Sequence, residues 1–258
     1  MSPEIVGLKI RVGGIVQGVG FRPFVFGLAE QCKVTGWVRN TSSGVEIEIN
    51  GATEAVSQFA ETLRASPPPL ARIDRFETEA ISPNGAVDFQ ILVSQLQEGE
   101  FLPISPDMTI CPDCQRELID PQDRRFRYPF INCTNCGPRF TIVKDIPYDR
   151  PKTTMADFPL CPTCAGEYHD PRDRRFHAQP VACPDCGPRV WIEIDGRRAE
   201  EQEAAIQTAR TRLKAGRILA IKGLGGYHLA CDATNQQAVA ELRQRKKRSD
   251  KPFALMAF

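Results

Sequence analysis

Eight of the ten cysteines in this sequence form four Cys-x2-Cys pairs, at 111/114, 133/136, 161/164 and 183/186. Two thiolates from one tight turn can reach a single ion, and two such turns complete a tetrahedron. Four sulfurs leave no open coordination position, so an ion held this way is structural. Each unit reads Cys-x2-Cys-x18-Cys-x2-Cys. A unit this short buries little apolar surface, so metal binding supplies much of its folding free energy. The spacing predicts two structural Zn2+ ions, with Cys111, Cys114, Cys133, Cys136, Cys161, Cys164, Cys183 and Cys186 as ligands. A redox Cys-x-x-Cys pair and an iron–sulfur cluster are the weaker alternatives.

Shifting the chain by 50 residues lays the first four of these cysteines on the second four. Glu117, Asp120, Pro121, Asp123, Arg124, Arg125 and Phe126 recur as Glu167, Asp170, Pro171, Asp173, Arg174, Arg175 and Phe176, and Cys-Gly-Pro-Arg closes both units. One module therefore occurs twice. This favours consecutive pairing over an interleaved one that joins Cys111 and Cys114 to Cys183 and Cys186. His169 and His177 align with Ile119 and Arg127, which cannot ligate in their place, so both read as surface or internally satisfied histidines. The pairs Arg124-Arg125 and Arg174-Arg175 alternate with aspartates and read as a solvated charged face rather than a phosphate-backbone tract. Cys32 and Cys231 stand alone and read as buried thiols.

A second chemistry sits near residue 20. The run Gly14-Ile15-Val16-Gln17-Gly18-Val19-Gly20-Phe21-Arg22 lies between a strand signal and a helix signal. Gly18 and Gly20 let the backbone curl so that successive N–H groups cradle an anion. The helix that follows adds the positive end of its dipole, and Arg22 offers a planar fork for two phosphate oxygens. By itself the loop is equally consistent with an ordinary glycine turn. The segment Gly36-Trp37-Val38-Arg39-Asn40, followed by Gly44-Val45-Glu46, decides for the phosphate reading.

The elements that position these groups are legible as alternating periods. Leu8, Ile10 and Val12 alternate as on a half-buried strand, and residues 21–29 suit a helix. Residues 34–40 and 45–49 read as paired strands, the second alternating Val45, Ile47 and Ile49 with Glu46 and Glu48. Thr53 is placed to cap a helix that carries Val56, Phe59 and Leu63. Pro67-Pro68-Pro69 ends that helix, and strand-like runs follow near 72–80 and 87–93. The order is βαββαβ, a split-βαβ sandwich. Beyond the cysteine block, residues 200–215 read as a helix, 217–222 as a strand and 236–245 as another helix. The fold class is α+β, a ferredoxin-like sandwich followed by tandem four-cysteine modules and the start of a further α/β domain. The boundaries fall at 1–93, a linker at 94–108, modules at 109–142 and 143–192, and the last domain at 200–258.

The chain carries 258 residues with 33 Lys+Arg against 32 Asp+Glu, a formal charge of +1. That balance excludes a strongly basic nucleic-acid coat. A composition of 41% hydrophobic and 25% charged residues argues against global disorder. No apolar run approaches the roughly 20 residues of a membrane helix. The first residues lack the basic and apolar regions of a signal peptide, so the expectation is a cytoplasmic protein with no membrane partner.

The loop ending at Arg22, the segment ending at Asn40 and the βαββαβ order together resemble the acylphosphatase family over about residues 5–92. That resemblance implies that the loop Gln17, Gly18, Val19, Gly20, Phe21 and Arg22 holds phosphate, that Arg22 binds it, and that Asn40 positions the attacking water without a metal. The whole order of parts, including Ile221-Lys222-Gly223-Leu224-Gly225-Gly226-Tyr227-His228-Leu229 and Arg248-Ser249-Asp250-Lys251-Pro252-Phe253, resembles the HypF family of hydrogenase maturation carbamoyltransferases. Membership would imply hydrolysis of carbamoyl phosphate to carbamate. It would also imply carbamoyl adenylate formation with ATP and Mg2+ in a YrdC-like domain, and transfer to the C-terminal Cys of a HypE-type partner for the cyanide ligands of [NiFe]-hydrogenase. The family's YrdC-like domain is longer than the residues after 200, so the sequence reads as an N-terminal fragment of a longer protein. By the same resemblance Lys246, Arg248 and Lys251 are the nucleotide-site candidates; without it they line an exposed helix end, and the glycines at 223–226 form a strand-to-loop turn. The competing function is a zinc-finger module binding nucleic acid or protein, fused to an inactive acylphosphatase-like domain. Aspartates that offset the arginines of the modules weigh against nucleic acid, and a minor RNA-binding role follows only from the YrdC-like resemblance.

Overall fold

The computed structural model describes residues 4–95, 104–247 and 250–256. It divides into two compact units, Met1–Pro188 and Arg189–Phe258. In the first, β1 (Ile5–Ile15), α1 (Phe21–Cys32), β2 (Thr35–Thr41), β3 (Gly44–Ala52), α2 (Thr53–Ala65), β4 (Arg72–Ile81) and β5 (Phe89–Ile91) follow one another. They build a sheet ordered β4-β1-β3-β2-β5, antiparallel except for the parallel β2–β5 pair. Ile10, Val12, Val45, Ile47 and Ile49 point from the central strands into one core, where α1 contributes Val25 and Leu28 and α2 contributes Val56, Phe59 and Leu63. These are the period-two and period-3.6 residues of the sequence. Ala52, not Thr53, is the N-cap of α2, and no side chain caps that helix.

The opposite face of the sheet departs from simple alternation. Glu46 is buried although its alternation points it outward. Lys9 reaches it at 2.7 Å, and Arg39 donates to it from both Nε and Nη2. A carboxylate can be buried here because the two neighbouring strands, β1 and β2, bring cations over it.

The four-cysteine modules complete this unit. Helices α3 (Pro112–Ile119) and α4 (Pro162–His169) start just after Cys111 and Cys161, whose sulfurs cap them by accepting from the Cys114 and Cys164 amides. Proline at the first helical position costs nothing, because that N–H has no partner in a helix. Of the segment read as a linker, residues 96–103 lie outside the described residues. Residues 104–108 are stitched into the unit: Ser105 Oγ donates to the Gln17 carbonyl at 2.6 Å, and Asp107 accepts from the Arg139 amide at 2.7 Å.

The second unit holds the hairpin β6 (Trp191–Ile194) and β7 (Arg197–Glu201), α5 (Gln202–Lys214), the hairpin β8 (Leu219–Gly223) and β9 (Gly226–Ala230), and α6 (Gln236–Arg245). The glycine run closes the second hairpin, with Gly225 at φ 72°, a conformation that favours glycine. Asn235 caps α6 by accepting from the Ala238 amide at 3.0 Å. Of the nucleotide-site candidates, Lys246 and Lys251 are exposed and Arg248 lies outside the described residues. Among the described residues no helix is long and apolar enough to cross a membrane.

Candidate active site and metal centres

The sulfurs gather as two consecutive sets, Cys111, Cys114, Cys133 and Cys136, and Cys161, Cys164, Cys183 and Cys186. The interleaved arrangement is excluded. Neighbouring sulfurs stand 3.7–3.8 Å apart in both sets. A tetrahedron with Zn–S bonds of about 2.3 Å has edges of about 3.8 Å, so each set fits a structural zinc.

The arginine pairs do not form a solvated face. Arg125 and Arg175 are 1% and 4% exposed, and each crosses to the other module. Arg125 donates to Glu167 and to the Ala182 carbonyl, and Arg175 donates to Glu117 and to the Asn132 carbonyl. Arg124 reaches the sulfurs of Cys161 and Cys164, and Arg174 reaches that of Cys114 at 3.3 Å. The contacts respect the 50-residue repeat, so the two modules brace each other through a pseudo-twofold exchange of cations. Donors to ligand sulfur offset the excess negative charge of a four-thiolate zinc centre. Burial pushes the Glu117 and Glu167 carboxyls up, and the arginines outweigh it, so both lie below the usual carboxylate range.

The glycine loop runs from the end of β1 into α1. Gly18 and Gly20 sit at φ 72° and 74°, where a Cβ is strained, and Val19 and Phe21 anchor the loop in the core. Pro23 has no N–H and the Phe24 N–H bonds the Gly20 carbonyl at 3.0 Å, so at the start of α1 the Phe21 and Arg22 N–H groups are those without a helical acceptor. The Gln17 side chain is turned to the backbone of neighbouring segments. It donates to the Thr41 and Gly44 carbonyls at 2.8 Å and accepts from the Tyr148 amide at 2.9 Å, tying the loop to the β2–β3 turn.

Arg22 and Asn40 meet, both buried. The hydrogen-bond network assigns the Asn40 carbonyl oxygen toward Arg22, where it accepts from Nη2 at 3.2 Å and Nε at 3.3 Å. This leaves the Asn40 amide nitrogen as a donor. Arg22 Nη1 lies 2.9 Å from Asp149 Oδ1, and Nη2 is 3.4 Å from the Tyr148 carbonyl.

The cleft around this pair has walls from two sources. The loop, Arg22 and Asn40 form one side. Thr134, Arg139, Tyr148 and residues 177–180 form the other. Arg139, from the first Cys-Gly-Pro-Arg, is 2% exposed; it donates to the Gly18 carbonyl and also to the carbonyls of Cys133, Thr134, Cys136 and Pro138. One guanidinium thus joins the four-cysteine module to the glycine loop. Arg150 fixes the stretch that carries Tyr148 and Asp149 by donating to the Gln179 and Val181 carbonyls at 2.7 and 2.8 Å. Burial pushes the Tyr148 phenol up to about 12. Sequence reasoning missed Arg139, Tyr148, Asp149 and His177 as neighbours of the site. The Cys-Gly-Pro-Arg motif was a visible signal for Arg139, but nothing in the spacing ties it to Gly18.

Family models match the chain in sequence order: acylphosphatase over residues 8–91, the HypF finger over 110–143 and 160–193, and the telomere recombination (Sua5/YciO/YrdC) model over 211–257. Carbamoyltransferase HypF2 of Cupriavidus necator is 52% identical over 99% of this chain and 32% of its own length. Carbamoyltransferase HypF of Rhodobacter capsulatus is 55% identical over 96% of this chain and 33% of its own length. An acylphosphatase of Thermotoga petrophila is 42% identical over 33% of this chain and 93% of its own length. A solved structure titled full-length HypF in the phosphate- and nucleotide-bound form superposes with a TM-score of 0.89 at 50% identity, covering 98% of this chain and 33% of that one. The chain spans about a third of the length of these HypF relatives. With its acylphosphatase domain, paired HypF fingers and YrdC-type segment, it belongs to the HypF carbamoyltransferase family.

Proposed function

We propose that this chain hydrolyses carbamoyl phosphate to carbamate and phosphate in its acylphosphatase domain, as the first step of a HypF-type carbamoyl transfer. The observation that carries the reading is the buried Arg22–Asn40 pair beside the glycine loop. In this reading the loop 17–22 cradles the phosphate and the Arg22 guanidinium neutralises it. The Asn40 amide, held by its bond to Arg22, aims a water. Water forms the new bond to phosphorus, the bond from phosphorus to the acyl oxygen breaks, and carbamate leaves. The acceleration is electrostatic stabilisation and positioning, which a preorganised guanidinium and amide supply without a covalent intermediate.

The longer protein would then use ATP and Mg2+ to adenylate carbamate and pass the carbamoyl group to the C-terminal Cys of a HypE-type partner in the cytoplasm, for [NiFe]-hydrogenase maturation. The domain scheme is 1–93 for hydrolysis, 109–142 and 143–192 for the fingers and 200–258 for the YrdC-like part, where Lys246, Arg248 and Lys251 are offered as nucleotide contacts. Phosphate release from carbamoyl phosphate by the zinc-loaded chain tests the hydrolase step. Release no faster than by an Arg22→Ala, Asn40→Ala double variant would reject it and favour a binding module with an inactive domain.

A further inference from the structure

One ionisable side chain in the cleft has no part in this mechanism. His177 comes from the second four-cysteine module and lines the cleft with Arg22 and Asn40. Its Nδ1 is shut off from solvent and has no hydrogen-bond partner among the described residues. The other polar groups of that wall are committed. Arg139 is spent on backbone carbonyls. The Gln179 amide donates to the His177 carbonyl and accepts from the Arg150 amide and the Tyr168 hydroxyl.

The ring is fixed in place. Phe176 packs edge-on against it at 4.7 Å, Tyr168 lies 5.1 Å away, and its backbone sits at φ 53°. Arg127, its counterpart in the first module, has nearly the same backbone, at φ 56°, but is exposed. The difference comes from the hydrolase side: Phe176 packs on Phe26 of α1 at 5.5 Å, which seats this corner of the second module at the cleft. Burial, with the charge of Arg22 next and His169 after it, lowers the His177 pKa to about 4 against a small opposing effect of Asp149. The ring is therefore neutral at neutral pH, with one nitrogen as donor and the other as acceptor. Among the described residues no partner sets its tautomer, so a ligand in the cleft can.

We propose that His177 is a specificity residue of the hydrolase site, its unpaired ring nitrogen accepting a hydrogen bond from the amide N–H of carbamoyl phosphate. The assignment rests on the hydrolase reading above. An acyl group without an N–H, such as acetyl, leaves that nitrogen unpaired as it is in the free protein and forgoes the bond that carbamoyl gains.

The test compares kcat/KM for carbamoyl phosphate and acetyl phosphate on the same zinc-loaded preparation of the full chain. The ratio of the two is independent of the folded fraction. The parent is expected to favour carbamoyl phosphate, and His177→Ala to lower the ratio about tenfold. His177→Asn suits a left-handed backbone and keeps an acceptor oxygen near the Nδ1 position, so it should retain most of the preference. An equal loss on both substrates, an unchanged ratio, or a ratio lost as fully in His177→Asn as in His177→Ala overturns the assignment. A parent that hydrolyses neither substrate defeats the hydrolase reading itself; a parent that hydrolyses both while the variants leave the ratio alone defeats only the role of His177.

Discussion

Arg22 holds its guanidinium between three neighbours, the Asn40 amide, the Asp149 carboxylate and the Tyr148 carbonyl. A phosphate on the loop must share this cation with Asp149, and two anions on one guanidinium oppose each other. Asp149→Ala should therefore tighten inhibition by inorganic phosphate about fivefold, as expected for loss of about 1 kcal/mol of competing charge; an unchanged or weaker inhibition constant counts against the competition. Arg22→Ala should weaken both phosphate inhibition and turnover. Arg22→Lys should recover only part, since an ammonium keeps the charge and loses the planar fork. Asn40→Ala should leave phosphate inhibition nearly intact while turnover falls about a hundredfold or more, the cost of an oriented group of about 3 kcal/mol. Folded Asn40→Ala protein turning over at the parent rate would show that Asn40 only ends a strand.

At the scale of elements, β1, β2 and β3 are locked on their outer face by Glu46 under Lys9 and Arg39. Burial raises the Glu46 pKa, and the hydrogen bonds and charges of Lys9 and Arg39 outweigh it, so the carboxyl sits below its usual 4.5. A depressed folded-state pKa contributes stability that is present above the unfolded value and lost as pH falls through the folded one. Thermal stability should accordingly drop below about pH 4.5, and Glu46→Gln should lower Tm at pH 7 while flattening that drop. Melting curves across pH 2.5–7 for the two proteins check the sign; parallel curves would mean that the acid dependence arises elsewhere. The module helices follow a similar economy: each is capped by a ligand sulfur, so helix and metal site are formed by the same residue.

Across the whole first unit, the four-cysteine sites and the cleft at Arg22 and Asn40 share parts. Arg139 binds carbonyls of the zinc knuckle and of Gly18, and Gln17 holds the Tyr148 amide. Two zinc ions per chain are expected at saturation by elemental analysis. Chelation should loosen residues 109–188 in hydrogen exchange and leave the sheet of β1–β5 protected, since that sheet has its own core. It should also lower phosphate release at least tenfold by withdrawing one wall of the cleft. Full activity after complete removal of zinc would show that the fingers do not shape the site.

Features that depend on near neighbours were legible in the order of residues. Sulfur spacing specified both zinc sets and the 50-residue repeat favoured their consecutive pairing, because a tetrahedron of thiolates needs little beyond two short turns. The period-two residues of β1 and β3 and the period-3.6 residues of α2 identified their own core faces, because burial acts on one side of an element at a time. The loop and Asn40 were visible as motifs. Tertiary structure alone decided the contacts between segments far apart in the chain. The Arg22–Tyr148 contact joins residues 126 apart, and Arg125 finds Glu167 42 residues on. No local period records such a pairing. A charged run beside aspartates looks solvated until a second copy of the module supplies partners for it, and His177 looks like a surface residue until Phe176 docks on α1. Desolvation and pairing belong to the assembled unit, so the second wall of the cleft and the brace between the modules could be read only from the fold.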